Sequence, residues 1–523
     1  MDSRRTSAQL RACVADLQEY FASAASPARR RRFFSRAFAA HILSGLLQQL
    51  SGQEAAIAQH KDVLLSLTSG LDAVSAAAAS LGQPSLDSLP PGQDLLTFVK
   101  DWLLLLGAAA IVARNLLEFV IPHCSSEAEQ EQLAMSVTAC TGAICAACGR
   151  LVQLWRERQS AVASEAASSS VLEMTDESLR LAFDVTVLGL RAVSAASDAG
   201  ADPAAVATAA ALSAQLRPKR VLGWLRCALD AVDWVVSTAG IQQSNCMAAL
   251  FSLLDSITYA ALGLRQALCD EPELLSRLAQ LTARVHAALV AASNYWADAA
   301  WSDCHERLCL WAYERGYFRF TPQNQQAALL PLLVAGGSML KGEALLLASL
   351  PVQPPAGADA DQAVRLAKIW LMAIAMVGCC TGVQCSAASR ELSRNHSPTR
   401  RRSLLQLVAA SAQPILRFVS AAAAGGPAAE GISRAANGLD SISRIFAMWA
   451  EGCWAVCHGL RLSGPVGSAE QQQETASTVA GLLGMLLQLL ARLPRLAEAS
   501  GEPVNAHFVL KASAQASALL AYR

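Results

Sequence analysis

The sequence predicts an all-α protein with no β-sheet, built as multi-helix antiparallel bundles or as an irregular α-solenoid of helix pairs. Three observations lead there. The chain is rich in Ala and Leu, both strong helix formers. Alternating runs of Val, Ile and Thr, the mark of half-buried strands, are lacking. Between Pro and Gly breakers the apolar residues recur at helical spacing, as in Leu10, Val14, Leu17 and Phe21.

Those four residues place a structural helix at the N-terminus, where no secretory h-region is seen. The Ser/Ala/Arg content there would also suit an organelle transit peptide, but Asp2, Asp16 and Glu19 argue against one. A break follows at 82–91, with three prolines. Ser126 with Glu129 forms a capping-box pattern ahead of Leu133 and Val137. An Ala/Ser linker is expected at 159–170, and Thr175-Asp176-Glu177 reads as the start of the next helix, with acids where the helix dipole favours them. Pro351, Pro354, Pro355 and Gly357 mark the sharpest boundary. Further breaks fall at the polar, basic stretch 394–402, at Gly425-Gly426-Pro427 and at Gly464-Pro465. Ser468 with Gln471 opens the helix through Leu482 and Leu486. The expected organisation is an N-terminal helical region (1–158), the linker 159–170, a central region with an aromatic cluster (171–350), a Pro/Gly linker (351–361) and a C-terminal helical region (362–523), with some fourteen to seventeen helices in all.

Composition narrows the function. Of 523 residues, 53% are hydrophobic and 16% charged, with 42 Lys+Arg against 42 Asp+Glu. An apolar chain of zero formal charge is neither disordered nor a globally basic nucleic-acid binder. The 15 Cys are scattered, without repeated spacing, and are read as reduced, mostly buried thiols of an intracellular, mainly cytoplasmic protein. One stretch, 369–389, is charge-free and long enough to span a bilayer. A core helix buried all round explains it as well.

Three Cys/His spacings invite a metal. Cys140, Cys145 and Cys148 match the plant-type iron–sulfur spacing, but lie in a stretch that reads as helix rather than as the irregular loop a cluster needs. Cys453, Cys457 and His458 resemble a haem-attachment site with one residue too many. His305-Glu306-Arg307-Leu308-Cys309 resembles the H-E-x-x-H zinc helix with Cys in the last place, and has no third ligand nearby in sequence. Small hydrophobes and a surface His explain all three, so no metal or cofactor is assigned.

The densest aromatic segment includes Trp296, Trp301, Trp311, Tyr313, Tyr317 and Phe318. It is expected either to plug the join between helical units or to bind a partner, since Trp, Tyr and Arg dominate interface hot spots. Arg29, Arg30, Arg31 and Arg32 form a basic patch suited to anionic lipid, nucleic acid or an import receptor. Ser397, followed by Pro398 and then by Arg400 to Arg402, is a candidate phosphosite. No nucleotide-binding glycine motif, no G-x-S-x-G and no complete H-E-x-x-H is present. The expectation is therefore a non-enzymatic helical scaffold or adaptor that binds protein partners. The alternative is an organelle membrane-associated protein anchored through 369–389 or through its basic N-terminal region. Nucleic acid and small-molecule substrates are disfavoured.

Overall fold

The computed structural model describes residues 3–26, 34–51, 53–81, 94–158, 165–196, 202–240, 244–260, 262–291, 304–305, 308, 326–385, 398–436, 442–462, 467–501 and 506–520. Among them there are nineteen α-helices and no strand, so the all-α expectation holds. The helices exceed the expected number because several long apolar stretches are split by a single turn, as at Ser66 and Leu67.

The chain divides into two compact units, 1–268 and 269–523. This differs from the expected division. Residues 351–359 of the Pro/Gly stretch are a loop inside the second unit and 360–361 already open the next helix, with Trp370 Nε1 donating to Pro351 O at 3.0 Å. The Ala/Ser stretch is already helix from Glu165. Ala and Ser at i and i+4 are compatible with a helix once a face is buried, and Ser168 and Val171 are buried there.

The first unit contains α1 (Ser3–Ala22), α2 (Ala39–Leu50), α3 (Glu54–Leu65), α4 (Thr68–Ala79), α5 (Leu95–Asn115), α6 (Glu127–Arg158), α7 (Glu165–Ala195), α8 (Pro203–Gln215), α9 (Pro218–Ala239), α10 (Asn245–Ala260) and α11 (Leu262–Cys269). Its packing is a two-layer stack. One layer runs α1, α4, α6, α9 and the other α2, α5, α7, α10, each helix lying beside the next in its layer. Successive layer partners, α1 with α2 through α9 with α10, are thus stacked helix pairs, as in an irregular α-solenoid. The short helix α8 lies against both α6 and α7.

The second unit contains α12 (Pro272–Ala291), α13 (Gln326–Ser349), α14 (Ala360–Gln384), α15 (Pro398–Ala423), α16 (Pro427–Ala436), α17 (Ile442–Leu462), α18 (Ala469–Ser500) and α19 (Ala506–Leu520). It repeats the plan. One layer runs α13, α15, α18 and the other α14, α17, α19, while α16 packs on α14, α15 and α18, and α12 packs on α13.

Small residues set the helix spacing. At the α14–α17 crossing Gly378 faces Gly452, and a Cβ on Gly378 would come within 2.6 Å of Trp449 Cα. At the α14–α16 crossing a Cβ on Gly431 would come within 2.7 Å of Ala363 O. The indole of Trp370 stacks on Phe418 with centroids 4.6 Å apart, tying α14 to α15. Five helical stretches among the described residues are long and apolar enough to cross a membrane, including 360–382, where 72% of the apolar window is buried inside the protein. The described part of the charge-free stretch, 369–385, lies in this helix and its continuation, packed against neighbouring helices.

The capping box at Ser468 forms in full, and the one at Ser126 forms with its return bond shifted by one residue, to Ser125 N. Ser468 Oγ accepts from Gln471 N, and Gln471 Oε1 accepts from Ser468 N. Ser126 Oγ accepts from Glu129 N at 3.2 Å, while Glu129 accepts from Ser125 N at 2.7 Å and from Lys61 at 3.1 Å. The third expected start is different. Thr175-Asp176-Glu177 lies in the middle of α7. Asp176 instead accepts hydrogen bonds from Ser244 Oγ, Asn245 N and Cys246 N, capping the start of α10 from a neighbouring helix.

Candidate functional site

The candidate interaction residues Trp296, Trp301, Trp311, Tyr313, Tyr317 and Phe318, the basic patch Arg29 to Arg32, and Ser397 all lie outside the described residues. The arginines after Ser397 are described, in the first turn of α15. Each meets a different element: Arg400 donates to Gln384 Oε1 at 2.9 Å, Arg401 to Gly459 O and Arg402 to Gln471 Oε1 at 2.8 Å. They knit α14, α17 and α18 together.

The cysteine spacings resolve into helix packing. Cys140, Cys145 and Cys148 are buried along the unbroken helix α6. Cys140 faces Ser75 and Asp72 of α4, whereas Cys145 neighbours Cys227 of α9, so the three thiols do not converge. Burial pushes Cys140 and Cys148 up to about 12. Cys453 and Cys457 are buried on α17, and His458 stacks on Trp454 with centroids 4.8 Å apart.

One polar constellation does converge, inside the second unit. His286 lies on α12, in the apolar stripe of Leu278, Leu281, Val285 and Leu289. Glu343 lies on α13, among Met339, Leu340, Leu346 and Leu347. His305 follows Cys304 in a helical turn at 304–305. The Nε2 atoms of His286 and His305 sit 2.8 and 3.0 Å from the same oxygen, Oε1 of Glu343. The two His side chains are 1% exposed and Glu343 is fully buried. Burial alone would raise the Glu343 carboxyl. The charge of His305, the hydrogen bond and charge of His286 and the hydrogen bond of His305 outweigh it, and hold the carboxyl well below the usual range.

Gly342 makes this approach feasible. A Cβ there would lie 2.8 Å from His286 Nδ1, so the imidazole rests directly on the α13 backbone. Of this constellation only His305 stood out in the sequence. Glu306 and Cys309, its expected companions, lie outside the described residues. His286 and Glu343 are 19 and 38 residues from it, brought together by the α12–α13 packing. Their signal was an ionisable side chain in the apolar stripe of an amphipathic helix.

The first unit carries an apolar groove. Its floor is α5 (Leu104, Gly107, Ile111) and its walls are Phe38, just before α2, and Met174 and Leu181 of α7. Phe38 is 59% exposed and Ile42, one turn on, 55%. His41, Glu173 and Glu177 also line it.

No family model and no curated protein matches the chain. Among solved structures, a "circular tandem repeat protein with novel repeat topology and enhanced subunit contact surfaces" aligns with 10% identity over 99% of this chain and 96% of that one, at a TM-score of 0.24. A likeness that weak leaves fold and function to this chain's own residues.

Proposed function

We propose that the protein is a non-enzymatic helical scaffold, and that the groove over α5 receives an amphipathic helix of a protein partner. The groove is the observation that supports this. It encloses about 200 Å³, less than the roughly 300–1,000 Å³ of small-molecule sites. That is room for one or two apolar anchors rather than a cofactor. Its walls are helices, and Phe38 and Ile42 extend the apolar surface beyond it. A helix laid in such a groove is a recurrent recognition mode. Glu173 is exposed at the rim, while Glu177 is engaged by Arg180 at 2.6 Å. The complementary partner carries Leu or Phe at i, i+3 or i+4, and i+7, flanked by Lys or Arg.

Fluorescence anisotropy with labelled amphipathic helical peptides tests the reading. Peptides with basic flanks are expected to bind wild type and to lose affinity against Gly107→Trp, which fills the groove. Equal binding to both proteins, or equal binding of acid-flanked peptides, would overturn it.

A second reading, association with an organelle membrane, draws on the five long apolar helices. Of these α18 is the least covered, with 28% of its apolar window buried. Alkaline carbonate extraction decides it: release into the supernatant sinks a spanning anchor, and retention favours one.

A further inference from the structure

We propose that Nε2 of His286, Nε2 of His305 and the carboxylate of Glu343 form the protein side of a structural site for one divalent transition-metal ion of the zinc type. The donor set comes first. Two imidazoles and one carboxylate suit borderline ions such as Zn²⁺ and Fe²⁺, whereas Ca²⁺ and Mg²⁺ prefer all-oxygen shells.

The geometry comes second. The three ligand atoms lie within 4.8 Å of one another, and both nitrogens lie 2.8–3.0 Å from one oxygen. An ion with ligand bonds of about 2.0–2.2 Å sits between donors about 3.0–3.5 Å apart, so the two nitrogen-to-oxygen edges need to open by only a few tenths of an ångström, while the nitrogen-to-nitrogen edge, within 4.8 Å, adjusts by rotation of the rings.

Position supplies the third argument. Three ionisable side chains, each 1% exposed or less, occupy a place where apolar residues of similar volume would pack at least as well. They come from α12, from α13 and from the turn at 304–305, so a single ion would bind all three elements at once. Gly342 lets the His286 ring lie directly against the α13 backbone, beside Glu343.

Binding requires each ring to present its Nε2 lone pair, with the proton carried on Nδ1 or released. Three protein donors leave a fourth position on the ion, but each side chain is 1% exposed or less, so bulk substrate does not reach it and the role assigned is structural. Burial also means that the ion is loaded as the chain folds. The site does not depend on the groove in the other unit.

The test uses the full chain, produced in zinc- and iron-supplemented cultures and purified without chelator. Elemental mass spectrometry is expected to find about one zinc or iron per chain. The near-isosteric variants His305→Gln and Glu343→Gln are expected to lower that content about tenfold or more, and Cys148→Ser and Cys453→Ser to leave it unchanged. X-ray absorption at the metal edge of wild type needs no variant to fold. Imidazole scattering with at most one sulfur supports the site, whereas a shell of two or more sulfurs overturns it. Metal-free wild type, or metal retained in both folded variants, overturns it as well.

Discussion

Oδ1 of Asp176, in the middle of α7, accepts a hydrogen bond from the backbone N–H of Cys246, in the first turn of α10, at 2.9 Å. Oδ2 takes Asn245 N at 2.8 Å. A helix start leaves its first N–H groups without partners inside the helix, and here a side chain from a neighbouring helix satisfies two of them. Asp176→Ala is expected to cost about 2–3 kcal/mol, and Asp176→Asn, which keeps an acceptor but loses the charge, less. Urea unfolding of both variants checks the order.

The Gly378–Gly452 crossing makes opposite predictions within one helix. Gly378→Ala forces a Cβ onto the Met448–Trp449 backbone, which cannot rotate away, and is expected to destabilise by about 2–3 kcal/mol. Gly382→Ala, one turn on in α14, meets nothing within 4 Å and is expected to stabilise by about 0.5–1 kcal/mol. Thermal melts of the pair separate backbone contact from helix propensity.

The buried thiols predict an alkaline limit. Cys140 and Cys148 are raised from 9.0 to about 12, in each case first by burial. Cys457 is likewise raised to about 12. A group whose folded value is raised contributes stability that is whole below its unfolded value and is lost as pH rises toward the folded one. Stability is therefore expected to fall between pH 9 and about 12, and Cys140→Ala and Cys148→Ala to flatten that fall. Thiol titration of native protein at neutral pH should modify exposed Cys227 well before these.

The two helix caps, Ser126 and Ser468, lie in different units and should act independently. Ser126→Ala and Ser468→Ala are each expected to cost about 1 kcal/mol, with the double variant additive. Only the first carries a pH signature. The Glu129 carboxyl is lowered from 4.5, mainly by the Ser125 N–H and then by Lys61. Its contribution is present above pH 4.5 and is lost as pH falls through its lowered folded value. Acid titration of Glu129→Gln beside wild type should show that loss only in wild type.

The helices were legible because the patterns that encode them are local. Leu10, Val14, Leu17 and Phe21 declare one face, and Ser468 with Gln471 declares a start. Asp176 misled because an acid in a first turn and an acid reaching across to another helix's first turn look alike in one dimension. The stretch 351–361 misled because prolines mark a turn whether or not the core changes across it. His286 and Glu343 each sit in an apolar stripe as one polar letter. Only the α12–α13 packing shows that the two letters belong together, with His305 as the third.

The layered stack bears on how the protein comes apart. Within each unit most helices touch only their neighbours in the layer and across it. Free energy in such an array is close to a sum of nearest-neighbour couplings, so cooperativity has a finite length. Amide exchange should then be graded, slowest in α6 and α17 in the interior of their layers and faster toward α1 and α19 at the ends. Damage to one helix pair should spread to its neighbours and fade.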